Sequence, residues 1–354
     1  MMKKVMVVGG AGVLGILICQ ELFRIFQGKI RLVITDYNVD RGKRKAATIN
    51  NNVEFRYLDV TKEESIQAAI QNVDSVIVVL KQQQPHIQRV CIENRITCID
   101  VTPFTDFVEK VKCFHPDAVK NDVASVVMSG FFPGLSGLMV KKAVSQFQKI
   151  DEVNIGLLQN TNAKAGVTGI LDMLKIISER VDDPTGENVS GFTKKRKMYF
   201  LDLCNQREVR LIHHAEANFL KQSLTIENIH YWTAWNAPVF NKQISLMKRL
   251  GIIHRVLKLK KSKFLSKVVK HNPEKSEDAY LTVKVKGTIN VKQSTKTLTL
   301  STFSDYHTTA SITAAIAKLI AAKKLKGVTF PFEIIDLDEL LSVINYEDII
   351  IEES

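Results

Sequence analysis

The stretch Val5-Met6-Val7-Val8-Gly9-Gly10-Ala11-Gly12-Val13-Leu14-Gly15 decides the fold. Four apolar residues run into a glycine-rich turn, and an amphipathic pattern then continues to Phe26 as a helix. Gly10, Gly12 and Gly15 stand in the spacing Gly-x-Gly-x-x-Gly between that strand and that helix, the arrangement of a dinucleotide-binding turn. Gly10 permits the tight turn, Gly12 lets the backbone approach a pyrophosphate, and Gly15 lets helix and strand pack closely. The helix start then offers free N–H groups and a partial positive charge to the phosphates. Asp36 follows Gly15 by 21 residues at the end of the second strand, where a carboxylate accepts hydrogen bonds from ribose hydroxyls. The expected cofactor contacts are therefore Gly9, Gly10, Ala11, Gly12, Val13, Leu14, Gly15 and Asp36, with Asp59 and Val60 after the third strand on the adenine side. A turn that is merely tight, with Asp36 capping a helix, is the competing reading of the same residues.

Outward from this turn, short β-branched runs alternate with helical patterns as far as Met128. Strands are expected at Lys4 to Val8, Arg31 to Thr35, Glu54 to Leu58, Ser75 to Val79, Thr97 to Asp100 and Ser125 to Met128. Helices fit between them, the last spanning Pro103 to Lys120. Six parallel strands with five crossovers make a doubly wound sheet, a Rossmann domain over residues 1–128. After Gly130-Phe131-Phe132-Pro133-Gly134 the rhythm changes. Strand-like stretches at Glu152 to Leu158, Lys197 to Leu203, Glu208 to Ile212, Ser223 to Trp232, Ala279 to Val285 and Lys296 to Phe303 come in runs, with helices near 135–148, 168–181 and 308–322. That predicts an α/β chain whose second domain, residues 129–354, is α+β, largely antiparallel and closed by C-terminal helices.

The 354 residues suffice for two domains, and 45% hydrophobic with 24% charged residues is an ordinary globular composition. Five cysteines, odd in number, widely spaced and without a Cys-x-x-Cys pair, argue against a disulfide framework or a zinc site, and point to a reducing cytoplasm. Lys3 and Lys4 ahead of an apolar run imitate a secretory signal, but Gly10, Gly12 and Gly15 interrupt that run and Ile18 is too bulky to precede a cleavage site. No uninterrupted apolar stretch reaches membrane-spanning length. More than half of the net charge of +12 is concentrated in residues 251–275. This local excess speaks against a nucleic-acid-binding fold with one broad basic face. Interleaved apolar residues such as Val256, Leu257, Phe264 and Leu265 leave open an amphipathic helix in peripheral contact with an acidic partner or a membrane surface.

Taken together, Gly10 to Gly15, Asp59-Val60-Thr61, Cys91 to Asp100 and above all Ser129-Gly130-Phe131-Phe132-Pro133-Gly134-Leu135-Ser136 resemble the saccharopine dehydrogenase and saccharopine reductase family, which includes lysine dehydrogenases. The likeness is good over the first 140 residues or so and patchy beyond about residue 150. It implies an NAD(P)-dependent oxidoreductase that moves a hydride at a carbon–nitrogen bond of an amino acid or a derivative. A non-catalytic NAD(P)-binding regulatory or scaffold protein is the alternative, and a homodimer is expected in either case. Asp36 favours NAD because its charge repels the 2′-phosphate of NADP, while Arg41, Lys43 and Arg44 on the next helix work against that preference. Leu80, Asp100 and the loop with Phe131, Pro133 and Gly134 follow strands four, five and six, so they are expected to rim the nicotinamide. Asp100 reads either as a catalytic carboxylate or as the cap of the helix beginning near Pro103. Arg196 is the candidate for receiving a substrate carboxylate. His213-His214 are a weaker acid–base candidate, because the sequence shows no partner for them.

Overall fold

The computed structural model describes residues 2–50, 52–164, 166–259, 271–344 and 349–354. The chain forms two compact units, Met1–Leu138 with Thr309–Asn345, and Met139–Thr308 with Tyr346–Ser354. The first runs β1 (Lys3–Val8), α1 (Val13–Ile25), β2 (Ile30–Asp36), α2 (Val39–Ile49), β3 (Glu54–Tyr57), α3 (Glu63–Ala69), β4 (Ser75–Val78), α4 (His86–Glu93), β5 (Thr97–Asp100), α5 (Thr105–Lys112), α6 (His115–Lys120) and β6 (Ala124–Val126), and the division falls within α7 (Leu135–Val144), after Leu138. All strand pairs here are parallel, in the order β6-β5-β4-β1-β2-β3. Met6, Val7 and Val8 of the central β1 have no exposed surface, as expected of a parallel strand covered on both faces. The helix expected over Pro103 to Lys120 is broken in two. Pro116 lies in the first turn of α6, where its missing N–H costs nothing, whereas inside one long helix it would have cost a hydrogen bond.

The second unit runs β7 (Lys149–Gln159), α8 (Val167–Ser178), β8 (Arg180–Asp182), β9 (Asn188–Ser190), β10 (Lys195–Met198), β11 (Arg207–Ile212), α9 (Ala215–Leu224), β12 (Ile229–Trp235), α10 (Pro238–Arg249), α11 (Ile252–Leu259), β13 (Ala279–Ile289) and β14 (Lys292–Thr302). With β16 (Ile349–Glu353) its strands order as β10-β11-β12-β7-β13-β14-β16. The sheet is mixed: β7 and β12 pair parallel, and every other pair in it is antiparallel. The strand expected from Ser223 starts later, at Ile229, because Ala215, Glu216, Phe219 and Leu220 bury one face of a helix and Thr225 ends it in the left-handed region, φ 54°.

After β14 come α12 (Asp305–Ile320), β15 (Gly327–Thr329), α13 (Pro331–Ile334) and α14 (Leu337–Leu341). Residues from Thr309 belong to the first unit, so its residues are not contiguous in sequence as a single break near residue 128 would require. The reason is visible in the packing. Ser311 Oγ donates to Glu21 Oε2 at 2.7 Å, Thr313 Oγ1 to the Ser129 carbonyl at 2.7 Å, and β15 adds a seventh parallel strand beside β6. Among the described residues no helix is long and apolar enough to cross a membrane. Residues 260–270 of the basic stretch lie outside the described residues.

Candidate functional site

The strand order reverses between β1 and β4, and the crevice beyond the carboxyl ends of strands at such a switch point is where open α/β sheets bind ligands. The Gly9–Gly15 turn follows β1 at that point, and Leu80 follows β4. Gly9 has φ +83°, and a Cβ there would meet Leu80 Cβ at 3.3 Å. A Cβ on Gly10 would lie 2.7 Å from Ile34 Cβ, and one on Gly15 would lie 2.6 Å from Gly10 Cα, so the fold itself requires both glycines. Gly12 differs. It is exposed, its φ of −78° and ψ of 171° suit any residue, and a Cβ would touch only Gly9 O, at 3.2 Å. That contact asks the backbone to give by only a few tenths of an ångström, far less than the overlaps at Gly10 and Gly15, so among the described residues the packing demands a glycine least at 12, where a pyrophosphate would approach the backbone. At the start of α1 no side chain caps the helix and its first turn holds no acidic residue, which leaves its N-terminal N–H groups for an anion. These residues fit a dinucleotide.

Asp36 ends β2 and is buried, but its carboxylate is already engaged. Arg41 grips it with a fork, Nε to Oδ2 and Nη2 to Oδ1, both at 2.7 Å, and the Asn38 N–H donates to Oδ1 at 2.8 Å. Asn38 in turn caps α2 by accepting from Arg41 N. The fork holds the Arg41 guanidinium protonated even more firmly than usual, chiefly through its hydrogen bond to Asp36, and the guanidinium lies 5.2 Å from the centre of the Tyr37 ring. A carboxylate has about four lone-pair positions. Three are used, so two ribose hydroxyls can both bind only if Arg41 yields at least one. Arg41 is half exposed and can swing away. After β3, Asp59 Oδ1 accepts from the Thr61 amide at 3.0 Å and the Thr61 hydroxyl at 2.7 Å, a turn that precedes α3 and holds the Asp59 pKa down; Val60 beside it is half-buried.

Asp100 does not cap a helix. The N-cap of α5 is Phe104, and the Asp100 Oδ1 instead accepts from the Thr102 amide at 2.6 Å, two residues on. Its Oδ2 accepts from Gln88 Nε2, and Gln88 Oε1 accepts from Gln82 Nε2 at 3.1 Å. Burial pushes the Asp100 carboxyl up to about 6, against the pull of those hydrogen bonds. Gln82, in the loop after β4, and Gln88, on α4, were not legible as site neighbours, since a lone glutamine carries no spacing signal. The Ser129–Ser136 loop is tied to this strand end, Ser129 N donating to Asp100 O at 2.9 Å. Within it Phe131 and Pro133 are buried, Gly130 N bonds Pro133 O at 3.0 Å and Leu135 N bonds Gly130 O at 2.9 Å. Gly134 has φ +120°, and a Cβ there would overlap Gly130 O and lie 2.6 Å from Met128 O. Any side chain at 134 therefore disrupts the loop before it touches a ligand.

In the second unit Arg196 is not available to a substrate carboxylate as it stands. Its Nη1 donates to Glu152 Oε1 at 2.8 Å and to Asn154 Oδ1, and its guanidinium lies 5.5 Å from the centre of the Trp232 ring. Trp232 Nε1 donates to the same Asn154 Oδ1 at 2.9 Å. Burial works to raise the Glu152 carboxyl, but the hydrogen bonds from Arg196 and the nearby positive charges of Arg196 and Lys286 outweigh it and hold the pKa at about 2. His213 does have a partner that sequence could not show, Glu179 Oε2 at 2.9 Å from Nδ1. His214 is buried and stacks on Tyr231 at 4.1 Å, whose hydroxyl donates to the buried Glu216 at 2.7 Å.

Residues 6–102 match the model of the 3-beta hydroxysteroid dehydrogenase/isomerase family. No curated protein matches the sequence. Among solved structures, the apo saccharopine dehydrogenase (L-Glu forming) of Saccharomyces cerevisiae superposes with TM-score 0.69 at 12% identity, over 99% of this chain and all of that one (100%). The chain has the saccharopine dehydrogenase fold. Two further structures share it at TM-score 0.50 and 11% identity: the DAP dehydrogenase of C. glutamicum in complex with DAP, covering 98% of this chain and 97% of that one, and an engineered D-amino acid dehydrogenase bound to NADP+, covering 97% and 99%. The resemblance first read from the Gly10–Gly15 and Ser129–Ser136 motifs thus extends, as a fold, through the region where the sequence likeness is patchy.

Proposed function

We propose that the chain is an NAD(P)-dependent oxidoreductase that transfers a hydride at a carbon–nitrogen bond of an amino acid or an amino-acid-derived substrate. The observation that carries the reading is Gly12, the glycine of the turn that the surrounding packing demands least, at the uncapped start of α1 and at the switch point of the sheet. Gly9 to Gly15 hold the pyrophosphate, Asp36 receives the ribose, Asp59 and Val60 lie toward the adenine, and Leu80 with Phe131, Pro133 and Gly134 shapes the nicotinamide end. Nicotinamide supplies the hydride chemistry itself. The protein's contribution is to align the reacting carbon and exclude water, which is why such a site leaves little catalytic signature in sequence. Support for the substrate class comes from the resemblance to saccharopine dehydrogenases, and from neighbours that are dehydrogenases of saccharopine, DAP and D-amino acids.

The second reading, an NAD(P)-binding regulatory protein, is favoured by a specific observation. Both candidate catalytic side chains, Asp100 and Arg196, are engaged by neighbouring protein groups. A screen of NADH and NADPH oxidation, and of the reverse reactions, with lysine, saccharopine, other amino acids and oxo acids separates the two. Turnover with at least one amine and oxo-acid combination is expected. Tight dinucleotide binding with no turnover on any of them would favour the regulatory protein.

A further inference from the structure

Helix α10 presents two chemically different faces. Asn241 and Ile244 are buried; Asn241 satisfies both the N–H and the carbonyl of Trp235, at 2.9 and 2.7 Å, and Phe240 meets the Trp235 ring edge-on at 5.2 Å. On the other side Val239, Leu246 and Leu250 are 67%, 57% and 60% exposed. Their spacing of seven and four residues puts them on one stripe. Exposed Lys242 and Arg249, also seven residues apart, run along one edge of that stripe, and exposed Arg255 and Lys258 follow on α11, whose Ile253 is buried. Lys248 takes no part, because its ammonium donates inward to the carbonyls of Ile177, at 2.5 Å, and Gly191. Between Glu227 and Glu274 the sequence contains ten Lys or Arg and no acidic residue.

Single exposed leucines need no explanation, but an aligned apolar stripe edged by cations in a stretch of sequence without acids does. We propose that this face docks on an anionic lipid surface, with Val239, Leu246 and Leu250 at the boundary between headgroups and acyl chains and Lys242, Arg249, Arg255 and Lys258 against the lipid phosphates and carboxylates. Basic residues beside an apolar stripe are the composition that binds at such an interface. Charge argues against a second copy of the chain, since pairing this face with itself would set cation against cation. The proposal is independent of the reading of the cofactor site.

The test is co-sedimentation of the full chain with phosphatidylserine–phosphatidylcholine vesicles and with phosphatidylcholine vesicles at low salt. Pelleting with the anionic vesicles and not the neutral ones is expected. Leu246→Ser with Leu250→Ser, and separately Lys242→Glu with Arg249→Glu, should each weaken binding about tenfold or more, since each basic residue near an anionic surface and each inserted apolar side chain adds measurably to adsorption. All four positions are exposed, so melting temperatures should stay at the wild-type value. Three results would overturn the proposal: no pelleting with anionic vesicles, pelleting unchanged by the leucine pair, or a dimer in sedimentation velocity that the leucine pair dissolves. Capture by soluble polyglutamate as strong as by vesicles, and insensitive to the leucine pair, would assign the face to an acidic polypeptide instead.

Discussion

At the Gly9–Gly15 turn the functional groups are backbone amides, and among the described residues no side chain caps the helix start. Around Arg196 the functional groups are side chains, and the protein has matched most of them, guanidinium to carboxylate and indole N–H to amide oxygen, with only the buried Asn154 Nδ2 of that group left over. The first region is built to receive a partner from outside, the second to hold itself together. A buried or half-buried polar group that is fully paired contributes order to the fold, whereas one left open is an invitation to a ligand. The contrast explains why the cofactor end of this chain can be argued residue by residue while the substrate end cannot.

If the second unit's polar interior is structural, its stability should be sensitive to charge there, and His214 offers the largest effect. Burial, with a smaller contribution from the charge of His213, lowers its pKa from 6.5 to about 3. The folded chain keeps the imidazole neutral while the unfolded chain protonates it below pH 6.5. A depressed folded pKa contributes stability above the unfolded value that is lost as pH falls toward the folded one; at roughly 1.36 kcal/mol per unit, the loss at pH 4 is about 3 kcal/mol. His214→Phe keeps a ring over Tyr231. Denaturant titrations at pH 7 and pH 4 should show a smaller difference for this variant than for wild type, and an equal difference would mean that His214 is not held neutral. Arg196→Ala comes next. It leaves Glu152 half-buried without its main partner, which should cost about 2 kcal/mol of unfolding free energy, a value below that of a fully buried pair because both groups retain some exposure. Michaelis constants should not move. A raised KM with unchanged stability would instead make Arg196 a substrate ligand and erase the distinction between the two regions.

The smallest effect belongs to the one place where the open region carries a matched pair. Arg41→Ala frees the Asp36 carboxylate, so NADPH should bind about tenfold more weakly relative to NADH, the value of one lost charge-assisted hydrogen bond. Asp36→Ala should shift the ratio the other way by releasing Arg41 toward a 2′-phosphate. Fluorescence titration with both dinucleotides reads this directly, and a ratio indifferent to both changes would place the ribose elsewhere.

How much could be read in advance follows the same division. The alternation of strands and helices up to Met128 implied the doubly wound sheet, and the glycine spacing located the turn, because both are requirements on the backbone written in consecutive residues. The Arg41–Asp36 fork was half legible: both residues were singled out, but as competitors for the ribose end rather than as partners. The pairing of Arg196 with Glu152, 44 residues apart, was not legible at all, nor was the hydrogen-bonded chain from Gln82 through Gln88 to Asp100. Neither was the return of residues 309–345 to the first unit, where β15 spans only three residues and its contacts depend on partners some 200 positions away. Side-chain matches at long range have no local pattern, so sequence reading located strands such as Glu208 to Ile212 and Ala279 to Val285 in the second unit but not the pairs between their side chains.

Calorimetric titration of NADH and NADPH into wild-type protein and Gly12→Val, paired with thermal melts of both and of Gly15→Val, tests the central claim most directly. Among the described residues a Cβ at 12 meets Gly9 O alone, at 3.2 Å, and the backbone conformation there accepts it. Wild type should bind a dinucleotide, and Gly12→Val should lose that binding with a drop in melting temperature far smaller than that of Gly15→Val. Failure of wild type to bind either dinucleotide, or equal binding by Gly12→Val, would contradict the assignment of the Gly9–Gly15 turn as a cofactor site.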